Sequence, residues 1–202
     1  MKLSIGGWDG SKYFSQAVST PSNTATFVNN IKKAVSTYGV DGVDIDWEYP
    51  GVQGAGGNIV SPSDTVNFLS FLQQLRSALG PSVLITAAVS TSPFYLPSSN
   101  SSSATNTFNS FGKVLDYITI MNYDVHDNKS PSPGSNAPLC HMVLVARLRR
   151  MWCRRSDRSM YEGFPVKKIL LGVPSYGYAM KSAATALPPD RGKNRTMSMK
   201  QH

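Results

Sequence analysis

Short apolar segments alternate with helix-like patterns along most of this 202-residue chain. Five segments have the length and the apolar or β-branched composition of buried strands: residues 2–7, 40–51, 82–89, 114–124 and 167–178, the second of them running into a turn. Strands that are apolar on both faces and separated by helices are typical of βα units, in which helices cover a parallel sheet. The sequence therefore predicts an α/β fold. The pattern by itself leaves open whether the sheet is open or closes into a barrel.

Two amphipathic helices are predicted between these strands. The first follows an apolar stripe at helical spacing from Phe27 to Tyr38, with Asn23 or Thr24 as its N-cap. The second lies within residues 61–80, where Ser-Pro begins the helix, four leucines share one side and a glycine follows the last turn. Each helix thus has one apolar face to pack against a sheet.

The charge of the chain is unevenly distributed. The net charge is +8, but residues 1–140 carry seven Lys or Arg against nine Asp or Glu, whereas residues 141–202 carry thirteen against three. Within this basic third, residues 141–160 hold six arginines and show no sustained helical or strand period. We interpret this block as an insert or a frame error foreign to the fold, with an RNA- or membrane-binding arm as the alternative. Residues 181–202 are polar, basic and aperiodic, which predicts a disordered tail.

Several other classes of protein do not fit this sequence. Cys140 and Cys153 are too few for a disulfide scaffold and lack the paired spacing of a zinc site; one bridge and two free thiols both remain open. No apolar run approaches the roughly 18 residues that a membrane span needs. The first ten residues lack the apolar core of a signal peptide. We therefore expect no metal, no membrane partner and no secretion directed by this chain itself.

Four acidic residues fall within eight positions of the second strand segment: Asp41, Asp44, Asp46 and Glu48. Because successive side chains of a strand point to opposite faces, the last three share one face, while Asp41 and Trp47 lie on the other. Like charges this close raise the pKa of at least one carboxyl group, which suits that group to donate a proton near neutral pH. The alternatives are a solvated edge strand and an oxygen-rich metal site.

The acidic segment resembles, position by position, the DxxDxDxE signature of the glycoside hydrolase family 18 chitinases, especially the fungal type. Three further segments are similar to strands of that family: SIGGW at 4–8, MNYD at 121–124 and GFPVKKILLGVPSYGY at 163–178. Four motifs in the family's order make the resemblance specific. It covers about residues 2–139 and 163–180, with the Arg-rich block between them.

The resemblance implies a (β/α)8 TIM barrel with its catalytic side chains at the C-terminal ends of the strands. The matched motifs correspond to strands three to seven of the family. We therefore expect residues 1–180 to form a partial catalytic domain, an incomplete barrel that lacks the first two strands and the last. Glu48 is expected to end its strand, just before Tyr49 and Pro50.

The resemblance also implies a substrate-assisted, retaining mechanism, in which the acetamido group of the sugar attacks its own anomeric carbon. Glu48 is then the general acid and base. Asp46 orients the acetamido N–H, and Asp44 shares a proton with Asp46. Tyr123 donates a hydrogen bond to the acetamido oxygen.

Five residues receive substrate-binding roles from the same resemblance. Asp124 contacts the sugar near the cleaved bond, and Met121 forms part of the pocket. The aromatic side chains of Trp8, Tyr49 and Tyr176 either stack on sugar faces or pack in the interior.

Three residues receive supporting roles, and the whole set implies an activity. Asp41 is assigned a hydrogen bond at the start of its strand, and Gly6 and Gly7 are assigned close backbone packing beneath the site. The implied reaction is chitinase activity, the hydrolysis of β-1,4 N-acetylglucosamine linkages, with no cofactor because the substrate supplies the nucleophile. The expected partners are chitin or N-acetylglucosamine oligosaccharides and no nucleic acid, for an extracellular monomer.

Two alternatives to this activity stay open. An endo-β-N-acetylglucosaminidase uses a similar signature. A sugar-binding or inactive chitinase-like protein is the other, because the tryptophan on the family's eighth strand has no counterpart here, which favours weak or absent hydrolysis by the isolated chain.

Overall fold

The structure, a computed structural model, describes residues 1–92, 94–95, 101–130, 134–138 and 163–179, with residues 101–106 described by their backbone alone. The Arg-rich block at 141–160, Cys140, Cys153 and the tail at 181–202 lie outside these ranges, so what the sequence predicts for them stays a prediction. No helix within the described ranges is long and apolar enough to cross a membrane.

Strands and helices alternate along the described ranges. The strands are β1 (Lys2–Gly6), β2 (Gly42–Asp46), β3 (Leu84–Val89), β4 (Tyr117–Ile120) and β5 (Ile169–Leu171). The α-helices are α1 (Phe14–Ala17), α2 (Pro21–Tyr38), α3 (Asp64–Leu79) and α4 (Ser101–Val114), and a 3₁₀ turn at Val166–Lys168 leads into β5. Each predicted strand segment contains one of these strands, and α2 and α3 occupy the two predicted helical segments. Neither α1 nor α4 is predicted by the sequence pattern.

The strand order identifies the type of sheet. All five strands are parallel and follow the sequence order β1-β2-β3-β4-β5. A doubly wound open sheet reverses its order at a switch point, and its helices change faces there. These strands show no reversal, and right-handed crossovers then place the connecting helices on one side of the sheet. The sheet is therefore an arc of a βα-barrel, which is the architecture that the resemblance implies.

The helix-covered face of the sheet forms the hydrophobic core. Val43 and Ile45 of β2 and Ile85 of β3 are fully buried there. The helices supply aromatic side chains, above all Phe68 and Phe71 of α3, which are also buried. Because the helices bury the apolar side chains of the strands, this packing also fixes which side chains face the other way.

The opposite face of the sheet is polar at its centre. Ser4, Asp44 and Thr86 are neighbours in the register of β1, β2 and β3. The expectation that the strands are apolar on both faces is therefore wrong at this layer. The described helices pack only on the outer face of the arc, so only that face is covered by apolar side chains. Hydroxyl and carboxyl groups occupy the inner face.

The start of α2 differs from the prediction by one turn. The helix begins at Pro21, and the side chain of Thr20 accepts a hydrogen bond of 3.2 Å from the backbone N–H of Asn23. Neither Asn23 nor Thr24 is the cap, because Thr20 is extended and the proline ring sets a helical φ at the first helical position. Gly39 ends the helix in the left-handed conformation, with φ at 59°.

Candidate active site

The predicted carboxylates lie at the C-terminal edge of the sheet. Strand β2 ends at Asp46, so Glu48 follows the strand by two residues instead of ending it as expected. Trp47 points to the helix side, where it is 3% exposed and stacks on Phe14 with ring centroids 5.3 Å apart. The alternation of faces that the sequence predicts for Asp46 and Trp47 is therefore confirmed.

Glycines bring the end of β1 into contact with the backbone of Asp46. The N–H of Gly7 donates a 2.8 Å hydrogen bond to the carbonyl oxygen of Asp46. Gly6 has φ at 118°, and a Cβ atom at this position would lie 2.0 Å from the same oxygen. Only a glycine fits this approach without moving one of the two strands.

Two polar side chains hold the backbone that carries the carboxylates. Ser11 is fully buried; its hydroxyl donates to the carbonyl oxygen of Asp46 over 3.1 Å and accepts from the N–H of Glu48 over 2.9 Å. The side-chain amide of Asn58 donates to the carbonyl oxygen of Glu48 over 3.0 Å. The segment between Asp46 and Glu48 is thus fixed from both sides, and sequence reasoning found neither Ser11 nor Asn58.

Asp44 is bound by hydroxyl groups from both neighbouring strands. The Thr86 hydroxyl of β3 donates to Oδ1 of Asp44, and the Ser4 hydroxyl of β1 donates to Oδ2 over 3.2 Å. Both contacts follow from the strand register, which sets the three residues side by side. The two hydroxyl groups therefore hold the Asp44 carboxyl group in a fixed orientation.

Asp46 carries the most perturbed carboxyl group of the trio. Its Oδ1 atom is buried and has no hydrogen-bond partner among the described residues. Burial raises the pKa of Asp46 to about 6, and the nearby charges of Glu48 and Asp44 add to the effect. This group therefore exchanges a proton close to neutral pH.

Glu48 is a second carboxyl group whose proton is held more tightly than usual. It is 9% exposed, and burial raises its pKa, with the charge of Asp124 acting in the same direction and a hydrogen bond with Tyr49 acting against it. Burial also raises the pKa of Tyr49, and the charge of Glu48 adds to this shift. The peptide bond between Glu48 and Tyr49 is cis. A buried acid at the open edge of the sheet has the properties of a general acid.

Asp124 follows β4 and is held by two tyrosines. The hydroxyls of Tyr176 and Tyr178 each donate a 2.6 Å hydrogen bond to Oδ1 of Asp124. The backbone of Asp124 has φ at 58°, and its N–H donates to Oδ1 of Asn136 over 2.7 Å. The hydrogen bond to Asp124 raises the pKa of both tyrosine hydroxyls. The resemblance assigns Asp124 a contact with substrate. The structure adds Asn136 and also Tyr178, the last residue of the family-like segment 163–178; the sequence analysis gives neither of them a role.

Tyr123 and Met121 also reach this edge from the segment after β4. Burial raises the pKa of the half-buried Tyr123, and the charges of Asp46 and Glu48 add to it, so its hydroxyl stays protonated in the neutral range. The Tyr123 ring lies edge-on to the ring of Tyr176, with centroids 6.4 Å apart. Met121 is half-buried, and its N–H donates to the carbonyl oxygen of Val89 over 2.8 Å.

The remaining predicted residues differ in how near they lie to the carboxylates. Trp8 follows Gly7 at the same edge and is 53% exposed, and Tyr176 is 48% exposed, so both rings are accessible. Asp41, in contrast, precedes β2 and lies at the other end of the strand, where its carboxylate pairs with the amino group of Met1.

A cavity of about 280 Å³ opens beside Tyr49, between the loops that follow β2 and β3. Aromatic rings form much of its wall: Trp47, Tyr49, Phe94 and Tyr95. The sequence does not predict it, because the two loops are far apart along the chain. In the part of the chain that the structure describes, no group of three or more His, Cys, Asp or Glu side chains is arranged to hold a metal ion.

Comparison with protein families gives one match over almost the whole chain. The model described as Glycosyl hydrolases family 18 matches residues 1–201. Among curated relatives, a chitinase-like effector from Moniliophthora roreri is 38% identical over an alignment of 206 positions, which covers 96% of this chain and 50% of that protein. The chain thus spans between a quarter and a half of the length of the curated relatives it matches.

Solved structures share the fold. A chitinase from Rhizomucor miehei superposes with a TM-score of 0.71 at 32% sequence identity, covering 86% of this chain and 47% of that one. A mutant of the class V chitinase from Nicotiana tobaccum, solved in complex with NAG4, superposes with a TM-score of 0.66 at 27% identity, over 86% of this chain and 47% of that one. The five-stranded arc therefore corresponds to part of a (β/α)8 barrel.

Proposed function

Because the chain belongs to glycosyl hydrolase family 18, we propose that it hydrolyses the β-1,4 linkages between N-acetylglucosamine residues of chitin. The observation that carries this proposal is the pair of carboxyl groups at one edge of the sheet, the half-buried Asp46 and the buried Glu48. The pKa of Asp46 lies at about 6 and that of Glu48 is raised. The complex of the Nicotiana tobaccum protein with NAG4 supports a substrate built from N-acetylglucosamine.

In the proposed reaction the substrate supplies its own nucleophile. The Glu48 carboxylic acid gives its proton to the glycosidic oxygen while the acetamido carbonyl oxygen bonds to the anomeric carbon and the glycosidic bond breaks. The new bond closes an oxazolinium ring on the sugar. The resulting Glu48 carboxylate then takes a proton from water, and the water oxygen attacks the anomeric carbon and reopens this ring. The sugar leaves with retained configuration, and Glu48 is again protonated.

Asp46 and Tyr123 would orient the acetamido group for this attack. The Asp46 carboxylate accepts from the acetamido N–H and offsets the positive charge of the ring that forms. Its buried, unpartnered Oδ1 atom supports this role, because such an atom gains most from a new donor. The Tyr123 hydroxyl, kept protonated beside the carboxylates, donates to the acetamido oxygen.

The sugar chain would lie along the edge that bears the exposed aromatic rings. Trp8 and Tyr176 offer accessible ring faces, and Tyr49 borders the cavity beside Glu48. Asp124 would contact the sugar through Oδ2, since its Oδ1 atom already accepts from two tyrosines. Chitin is a polymer found outside cells, so this function places the chain in the extracellular space.

Sugar binding without turnover is the second candidate function. Its support is the similarity to a chitinase-like effector. In this case the acidic edge would still hold the acetamido groups, but the bond would stay intact.

Penta-N-acetylchitopentaose and its fully de-N-acetylated counterpart distinguish these functions. We expect the purified chain to cleave the acetylated pentamer and to act on the deacetylated one at least about 10³-fold more slowly, because the latter lacks the internal nucleophile. Product release is measured by chromatography and binding by calorimetry. Equal cleavage of both pentamers would contradict the substrate-assisted mechanism, and binding of the acetylated pentamer without cleavage would favour the second candidate.

A further inference from the structure

A loop at residues 134–138 lies against the segment that follows β4. Gly134 meets the ring of His126 there, and a Cβ atom at the glycine would lie 2.4 Å from that ring. The N–H of Val125 donates a 3.1 Å hydrogen bond to the carbonyl oxygen of Asn136. The loop is therefore in direct contact with the segment that carries the sugar-binding aspartate, although it has no part in the mechanism proposed above.

The side chain of Asn136 uses both ends of its amide. Its Oδ1 atom accepts a 2.7 Å hydrogen bond from the N–H of Asp124, and its Nδ2 atom donates a 3.1 Å hydrogen bond to the carbonyl oxygen of Tyr176. Only one orientation of the amide satisfies both partners, since the N–H group needs an acceptor and the carbonyl oxygen needs a donor. Asn136 thus joins the segment after β4 to the segment after β5.

The two joined segments carry an acceptor and its donors. The hydroxyls of Tyr176 and Tyr178 both donate to Oδ1 of Asp124, but both side chains are exposed, so water competes for these hydrogen bonds. The backbone of Asp124 has φ at 58°, a left-handed conformation that is uncommon outside glycine. A residue keeps such a conformation only where its surroundings hold it, and the acceptor for the Asp124 N–H is Asn136.

We propose that Asn136 is a positioning residue: by joining the backbone of Asp124 to that of Tyr176, it holds the Asp124 carboxyl group against the two tyrosine hydroxyls and leaves Oδ2 to the sugar. The effect on turnover rests on the proposed function; the effect on the contact between Asp124 and the tyrosines does not. Without the amide, the Asp124 N–H loses its acceptor and the two segments lose the bridge between them.

The first test needs no turnover. The full chain is labelled with carbon-13 at tyrosine Cζ, whose chemical shift responds to the hydrogen bond of the hydroxyl, and Tyr176→Phe and Tyr178→Phe assign the two resonances. In Asn136→Ala both resonances should move toward their positions in Asp124→Ala, which lacks the acceptor. Ser135→Ala truncates an exposed side chain of the same loop and should leave both unchanged. Resonances in Asn136→Ala that coincide with those of Ser135→Ala would overturn the proposal.

The second test asks whether Asn136 acts through Asp124. We expect Asn136→Ala to lower kcat/KM for penta-N-acetylchitopentaose by about 10- to 10²-fold, the effect of a displaced contact group. The double variant Asn136→Ala/Asp124→Ala should then be no slower than Asp124→Ala alone, because the two substitutions remove the same contact. Losses that multiply would contradict the proposal. If the unmodified chain cleaves no pentamer, the proposed function fails, and the tyrosine resonances still decide how Asp124 is held.

Asn136→Ser provides a second variant at the same position. The serine hydroxyl lies closer to the backbone than the amide does and cannot bridge the two segments, so this variant should behave as Asn136→Ala in both tests. Both variants should keep the circular dichroism spectrum of the unmodified chain, because Asn136 lies in a loop outside the hydrophobic core. A serine variant with the tyrosine resonances of the unmodified chain would also count against the proposal.

Discussion

Replacing Glu48 by Gln is expected to slow the cleavage of penta-N-acetylchitopentaose by about 10²- to 10⁴-fold. Glutamine has the same shape but cannot give a proton to the glycosidic oxygen. The effect is large because the buried position raises the pKa of Glu48 and so favours the protonated form that donates to the glycosidic oxygen. The measurement is the initial rate of product release under saturating pentamer.

The control for this substitution is Asp127→Asn. Asp127 lies in a turn where its Oδ1 accepts from the N–H of Lys129 and from the Ser130 hydroxyl, contacts that an asparagine oxygen retains. The Asp127→Asn variant should cleave the pentamer at the rate of the unmodified chain. The fold of Glu48→Gln should persist as well, because the substitution removes a titratable group from a buried position and keeps its volume. More than a tenth of the original rate in Glu48→Gln would mean that another group supplies the proton.

Replacing Phe68 by Ala is expected to lower the free energy of unfolding by about 3–5 kcal/mol. Phe68 is 2% exposed, and its ring lies among other aromatic rings, with centroids 5.4 Å from Trp47 and 5.5 Å from Phe111. Removing the ring leaves a cavity between α3, α4 and the segment that carries the carboxylates. Urea unfolding followed by circular dichroism measures the change.

Val66→Ala is the matched control for the core. Val66 lies on the same helix, two residues away, but is 60% exposed. Its truncation should change the free energy of unfolding by less than about 0.5 kcal/mol. If Phe68→Ala cost no more than Val66→Ala, the aromatic cluster would not be the core that positions Trp47 and, next to it, Glu48.

The sequence could predict those parts of the fold in which apolar or polar residues recur at a regular spacing. Two-residue alternation put Asp44 and Asp46 on one face and Trp47 on the other, and the structure agrees. Apolar residues at helical spacing predicted the helices α2 and α3. Helix α1 has four residues, too few for a period, and α4 is rich in Ser, Thr and Asn, which are poor helix formers, so neither was predicted.

The parts of the site that sequence missed depend on contacts between distant segments. Ser11 meets the Asp46–Glu48 backbone across a separation of 37 residues, and Tyr178 meets Asp124 across 54. Nothing local distinguishes Ser11, and the family-like segment that contains Tyr178 does not indicate which residue Tyr178 contacts. Only the sheet register and the loops at its edge bring them to the carboxylates. The sequence motif contains the acidic residues, but only the tertiary structure brings together the residues that hold them in place.

The central claim, that the substrate's acetamido group displaces the leaving sugar while Glu48 handles the proton, is tested most directly by the anomeric form of the first product. Proton NMR during the early hydrolysis of penta-N-acetylchitopentaose by the purified chain reads this form before mutarotation. Retention predicts that the new reducing ends appear first as the β-anomer. Reducing ends that appear first as the α-anomer, or a pentamer that stays intact, would contradict the claim.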